Sequence, residues 1–183
     1  MTGWIILALG SLTIAAVSWK SLRQPGSHGF YRFFAWEAIL ALFALNHSFW
    51  FRDPFVPRQL LAWTLLFASL LPLGFGVHAL RTRGQQAQTR AGDENLYAFE
   101  KTTQLVTTGI YHYIRHPLYS SLLLLAWGIF FKQITWLSVI LVLLATLFLF
   151  LTARADEREC IQFFGAQYQE YMTRTKRFIP FLF

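Results

Sequence analysis

Apolar residues along the chain gather into five long runs, over positions 1–19, 33–51, 59–80, 117–131 and 133–153. A bilayer core of about 30 Å asks for on the order of 20 apolar residues per helix. The runs therefore predict an all-α integral membrane fold with about five transmembrane helices. Only Glu37 interrupts the second run, and only Lys132 separates the fourth from the fifth. The last two runs thus read as a tight helical hairpin, whose shorter first arm is tilted or does not fully span. Residues 1–183 form one membrane domain on this reading, with three spans in 1–80. A polar loop, the hairpin and a carboxyl-terminal amphipathic helix fill 81–183.

Composition agrees with lipid as the solvent, since 55% of the 183 residues are hydrophobic, 18% are aromatic and only 14% are charged. Soluble domains carry roughly 25% charged residues. The net charge of +7 would suggest nucleic acid in a soluble protein. Here the basic residues follow the positive-inside bias instead, and no nucleic-acid partner is expected. Lys20, Arg23 and Arg32 follow the first run; Arg81, Arg83, Arg90, Lys101 and Arg115 follow the third; Arg154, Arg158, Arg174, Lys176 and Arg177 follow the fifth. Only Arg52, Arg58 and Lys132 fall on the other side. The carboxyl terminus is accordingly expected in the cytoplasm and the amino terminus outside. The opening MTGWIILALG lacks a basic n-region and is expected to remain in the mature protein.

This orientation sets 81–116 and the tail from 154 onward on one side of the membrane, where a water-soluble cosubstrate could be met. The stretch GQQAQTRAGDEN is polar and reads as a loop, after which Leu96, Tyr97 and Phe99 return toward the interface. Gly109 breaks the segment, and GIYHYIRHP leads into the fourth helix with Pro117 in its first turn. The tail repeats Glu157, Cys160, Ile161, Phe164, Tyr168 and Tyr171 at helical spacing. Asp156, Glu157 and Glu159 concentrate acid opposite the basic and aromatic mouth at 111–119. Such a cluster fits either a structural ion-pair network or a site for a zwitterionic ligand. Glu37 inside the second run, with Ala41, Ala44 and Ser48 on its face, reads as a buried hydrogen-bonded acid on a close-packed helix surface.

Cys160 stands alone, so disulfides and cysteine zinc clusters are excluded. No HExxH, GxGxxG, GxxxxGK or GxSxG motif occurs, and no metal is expected.

Taken as a set, LVTTGIYHYIRHPLYSS, the DE pair at 156 and 157, FFGAQYQEY and RFIP resemble the isoprenylcysteine carboxyl methyltransferase family and, more loosely, the phospholipid methyltransferases. The resemblance covers 105–180. It implies S-adenosylmethionine as cofactor and a lipophilic methyl acceptor entering from the bilayer. By motif position Leu105, Val106, Tyr111, Arg115, His116, Pro117, Leu118, Tyr119, Asp156 and Glu157 would bind the cofactor. Glu157 and Arg154 are the catalytic candidates, Arg154 being the nearest match, off register, to a family arginine that meets the substrate carboxylate. The chain departs from the pattern at Asp156, where glutamate is usual, and after the RHPxY tyrosine, where the small residue is Ser120 followed by Ser121 in place of a common glycine. The acceptor stays open among a prenylated cysteine, a lipid amine and a small thiol, as does the oligomeric state. Rival readings are an NADPH-dependent reductase of the sterol reductase type, a transporter and a non-enzymatic membrane scaffold.

Overall fold

A computed structural model describes residues 2–85, 96 and 100–180. Seven α-helices are formed among them: α1 (Thr2–Val17), α2 (Trp19–Leu22), α3 (His28–Asn46), α4 (Pro57–Arg83), α5 (Pro117–Phe130), α6 (Trp136–Phe164) and α7 (Ala166–Arg174). The expected loop at 84–95 and the interfacial Tyr97 and Phe99 lie largely outside the described residues.

Each apolar run has become a helix, and the boundaries have local causes. Pro117 and Pro57 open α5 and α4 at the first turn, where a missing amide is harmless. Ser27 caps α3 by accepting from the Phe30 amide, and Thr135 with Ser138 forms a capping box on α6. Among the described residues only α4 and α6 are long and apolar enough to cross a membrane, and a third or less of their most apolar windows is buried (28% and 33%). A core helix of a soluble protein would be buried all round. Here Phe67, Leu70, Leu71 and Phe75 of α4 and Leu137, Ile140, Leu143 and Leu147 of α6 lie exposed, an outward apolar face that demands lipid or another apolar partner. Helices α1 and α5 are apolar but shorter.

The packing departs from a simple hairpin. The short connection does make α5 and α6 neighbours, but α5 packs most extensively on α4, and α6 on α3. The core between them gathers Ala35, Leu42, Leu66, Ala126, Val142, Ala145 and Leu149. Small residues permit the approach. A Cβ on Gly128 would stand 2.9 Å from Leu66 Cγ and 3.1 Å from its backbone nitrogen, and one on Gly76 would meet Pro117 and Leu118 at 3.2 Å. At the end that carries the α5–α6 connection, Lys132 is fully buried, donates to Gln59 Oε1 (3.1 Å) and lies 3.4 Å from the Trp63 ring centroid. Asn46 donates to the carbonyls of Ile129 and Gln133 beside it. Helix α1 packs on α3 through Gly3, Gly10 and Ser11, whose hydroxyl donates to Glu37 at 2.6 Å.

The tail is not the single amphipathic helix that its periodicity predicts. It breaks at Gly165, whose φ of 61° lies in the left-handed region, so α6 carries 157–164 and α7 turns away to bury Tyr168 and Tyr171. The chain after α7 then pairs with the segment before α5. Arg115 N donates to Lys176 O (2.8 Å), Lys176 N to Tyr113 O (3.2 Å) and His116 N to Arg177 O (3.1 Å), an isolated parallel bridge. Ser120 Oγ donates to Phe178 O at 2.9 Å, so RFIP acts as a clasp across the start of α5.

Gly128→Val should wedge α4 from α5 and destabilise the protein by about 1–3 kcal/mol, the usual cost of overpacking. Thermal unfolding in detergent checks this, and an unchanged melting temperature would show that the two helices yield at that contact.

Candidate active site

At the end of the bundle away from Lys132, a cavity of about 460 Å³ opens between the 102–119 segment, the last turns of α6, α7 and the start of α3. The size suits a small-molecule cofactor. Leu105, Val106, Tyr111, Arg115, His116, Pro117, Leu118, Tyr119 and Asp156 all line it. Two structural devices bring them there. The 3-10 turn Gly109–His112, entered through Gly109 at φ 67°, tucks Tyr111 inward, and Tyr171 Oη holds that turn by donating to the Tyr111 carbonyl at 2.6 Å. The clasp of 176–178 then fixes Arg115 and His116.

Glu157 is placed differently from its neighbour. It is buried and does not line the cavity. Its Oε1 accepts from Arg115 Nε (2.9 Å) and Arg177 Nε (3.1 Å), and its Oε2 from Arg177 Nη2 (2.7 Å). His116 Nε2 lies 3.3 Å from the same Oε1. Arg115 Nη1 donates to the Met172 and Thr175 carbonyls. Arg115 and Glu157 are therefore joined in a buried ion-pair network.

Asp156, the adjacent residue, faces the cavity instead. Its Oδ2 accepts from Tyr119 Oη (3.2 Å) and lies 3.4 Å from His116 Nδ1, and Cys160 Sγ donates to Oδ1 at 3.6 Å. The imidazole of His116 thus bridges the two acids, stacked on the Tyr119 ring. Burial, the largest influence, pushes the His116 pKa down, but hydrogen bonds to Asp156 and Glu157 and their charges outweigh it, and the net shift is upward. Both ring nitrogens thus face a carboxylate.

Residues from the amino-terminal half complete the wall in a way that sequence reasoning missed. His28 is 1% exposed, its backbone amide donates to Glu159 Oε1 (2.8 Å), and its Nδ1 meets Glu159 Oε2. Its pKa is also raised: burial pushes down, and the Glu159 hydrogen bond with the charges of Asp156 and Glu159 pushes up further. Arg32 pairs with Glu100 at 3.2 Å. Nothing local marks His28 as a lining residue or Arg32 as the partner of the lining Glu100, because their partners lie 131 and 68 positions away.

Arg154 is not brought to the cavity. It is exposed on the opposite face of α6, its guanidinium 5.9 Å from the Phe150 ring centroid. Two residues on a helix are about 200° apart, roughly half a turn, so it points away from Asp156, and this corrects its expected place beside the acids.

The lining suits a small ligand that carries positive charge and an aromatic or apolar part. Three carboxylates, on Glu100, Asp156 and Glu159, face the cavity, together with the aromatic side chains of Tyr111, Tyr119 and Tyr168. The cationic residues Arg115, His116 and His28 on the same wall are each committed to an acid.

A helical bundle with exposed apolar faces and a polar cavity at one end is the architecture of a membrane-associated protein with a small-molecule site. Residues 75–170 match the sequence profile of the phospholipid methyltransferase family, which covers the helix end, the cavity segment and the acid pair. The chain belongs to that family, a family of membrane methyltransferases related to the isoprenylcysteine carboxyl methyltransferases. No curated protein and no solved structure matches it.

Two outcomes follow from the buried charges. Glu157→Gln leaves Arg115 and Arg177 short of a countercharge and should cost about 3–5 kcal/mol, read as a large drop in melting temperature; a drop below a degree would contradict the clamp. His116 and His28 have folded pKa values above the unfolded one near 6.5. Their contribution to stability is therefore complete below about pH 6.5 and lost as pH rises through the raised values. Melting temperatures between pH 6 and 9 should fall with rising pH, less steeply in His116→Gln.

Proposed function

We propose that the protein is an S-adenosylmethionine-dependent methyltransferase acting on a lipophilic acceptor, as its carboxyl-terminal half suggests by likeness to the isoprenylcysteine enzymes. The observation that carries this is the convergence of the family-matched 102–119 segment and α6 on one cavity with Asp156 facing it. Five crossings with the cavity open to the cytosol accompany the reading, supported by five apolar helical runs and by basic residues concentrated at the cavity end.

When bound, the cofactor supplies an electrophilic methyl group on a sulfonium centre. The chain's residues bind and orient. Asp156, held by Tyr119 and His116, is the carboxylate suited to the ligand's ammonium. Tyr111, Tyr119 and Tyr168 offer ring faces to adenine or to positive charge. Leu80, Leu105, Val106 and Leu118 exclude water on the apolar side. Because methyl transfer is an in-line displacement, positioning of the two reactants is the main contribution asked of the protein. A carboxylate acceptor needs no general base. An amine acceptor must lose a proton, and Asp156 and Glu159 face the cavity whereas Glu157 does not.

A reductase reading meets an obstacle in the same wall. Dinucleotide phosphates need unpaired cations, and the lining cations Arg115, His116 and His28 each face a carboxylate.

Calorimetry on the detergent-purified protein should show S-adenosylhomocysteine binding and none of NADPH. Asp156→Asn should weaken binding by about tenfold or more, as loss of a charged hydrogen-bond partner does, while Arg81→Gln should not. No adenosyl binding by folded protein, or binding of NADPH alone, would overturn the assignment.

A further inference from the structure

The end of α6 has a second polar face. Taking 100° per residue, Asp156, Glu159, Cys160 and Phe163 fall within about 100° of one another and line the cavity, while Arg154 and Arg158 point about 180° away. There they border a separate recess of about 460 Å³ with Arg177, Tyr31 and Met172. The one acid in that recess, Glu157, already faces Arg115 and Arg177. Among the described residues Arg154 and Arg158 have no carboxylate partner; Arg158 Nη2 donates to the Gly26 carbonyl at 3.3 Å and keeps its other donors.

What leads into this recess is apolar. Ile140, Leu143 and Leu147 are about half exposed (54%, 54% and 50%), and with Leu151 they form a stripe on the same side of α6 as Arg154 and Arg158. The stripe ends where the guanidinium groups begin. We propose that this surface binds an anionic phospholipid, its acyl chain along the stripe and its headgroup phosphate among Arg154, Arg158 and Arg177. The inference rests on the reading that the apolar length of α6 crosses the bilayer. It then places those three residues at headgroup depth, where each basic side chain strengthens anionic-lipid binding by about fivefold. Guanidinium groups also match phosphate oxygens in pairs. Because α6 stands between this recess and the cofactor cavity, the lipid held here is a bound partner and not the methyl acceptor. Arg177 belongs to both the recess and the Glu157 clamp, so the lipid touches the network that fixes His116.

Native mass spectrometry of the full chain released from detergent tests the proposal, with dioleoyl phosphatidylglycerol, dioleoyl phosphatidylcholine and inorganic phosphate as probes. One phosphatidylglycerol should be retained at concentrations several-fold below those needed for phosphatidylcholine. Arg154→Gln with Arg158→Gln should weaken that retention by about 25-fold, and Arg81→Gln, which removes a charge elsewhere on the same end, should not. Arg154→Lys with Arg158→Lys keeps the charge and should retain most of the binding, which separates a misfolded Gln variant from a lost site. Equal retention of the two lipids, or equal weakening by Arg81→Gln, overturns the proposal. Displacement of the lipid by low-millimolar inorganic phosphate also overturns it, in favour of a soluble anion. S-adenosylhomocysteine binding on the same samples reports the other cavity, so failure of one assignment is distinguishable from failure of the other.

Discussion

The buried carboxylate of Glu157 ties together three pieces of chain that lie far apart in sequence. Arg115 comes from the segment before α5, Arg177 from the clasp after α7, and Glu157 from α6. Two guanidinium groups and an imidazole around one acid offset the desolvation that burial imposes on each. Once these contacts form, the 113–116 backbone lies parallel to 176–178, and Tyr111, His116 and Tyr119 are fixed along one wall of the cavity. Asp156 inherits its position through His116, which contacts both acids.

The last turns of α6 thereby serve three surroundings with three successive side chains. Asp156 faces the cavity, Glu157 enters the ion-pair clamp, and Arg158 faces the outer recess. Helical geometry points them in different directions, at about 100° per residue, and the segments packed there make each direction a different environment. An acid that is to meet a cationic ligand needs this separation, because it cannot also be neutralised by structural arginines.

Much of the helical layout was legible in the sequence because lipid-facing and core helices are both written as long apolar runs, and Pro117 and Pro57 mark their starts. The cavity wall from Leu105 to Tyr119 was legible from motif likeness. Three things were not. The acids at 156 and 157 look alike in sequence, and only the neighbours folded against them give one to the cavity and the other to the clamp. Gly165 sits inside an unbroken helical periodicity, and its left-handed backbone shows only in the fold. His28 with Glu159 and Arg32 with Glu100 pair across large sequence separations that no local pattern reports. Arg154 was misplaced for a rotational reason: two positions from Asp156 on a helix means an opposing face.

The account stands or falls on an adenosyl ligand lying between the 102–119 segment and the end of α6. The most direct measurement is ultraviolet cross-linking of radiolabelled S-adenosylmethionine to the full-length protein, followed by proteolysis and identification of labelled peptides. Label that S-adenosylhomocysteine displaces should map to peptides within 105–119 and 156–171. Displaceable label confined to 1–80, or no displaceable label on folded protein, would contradict it.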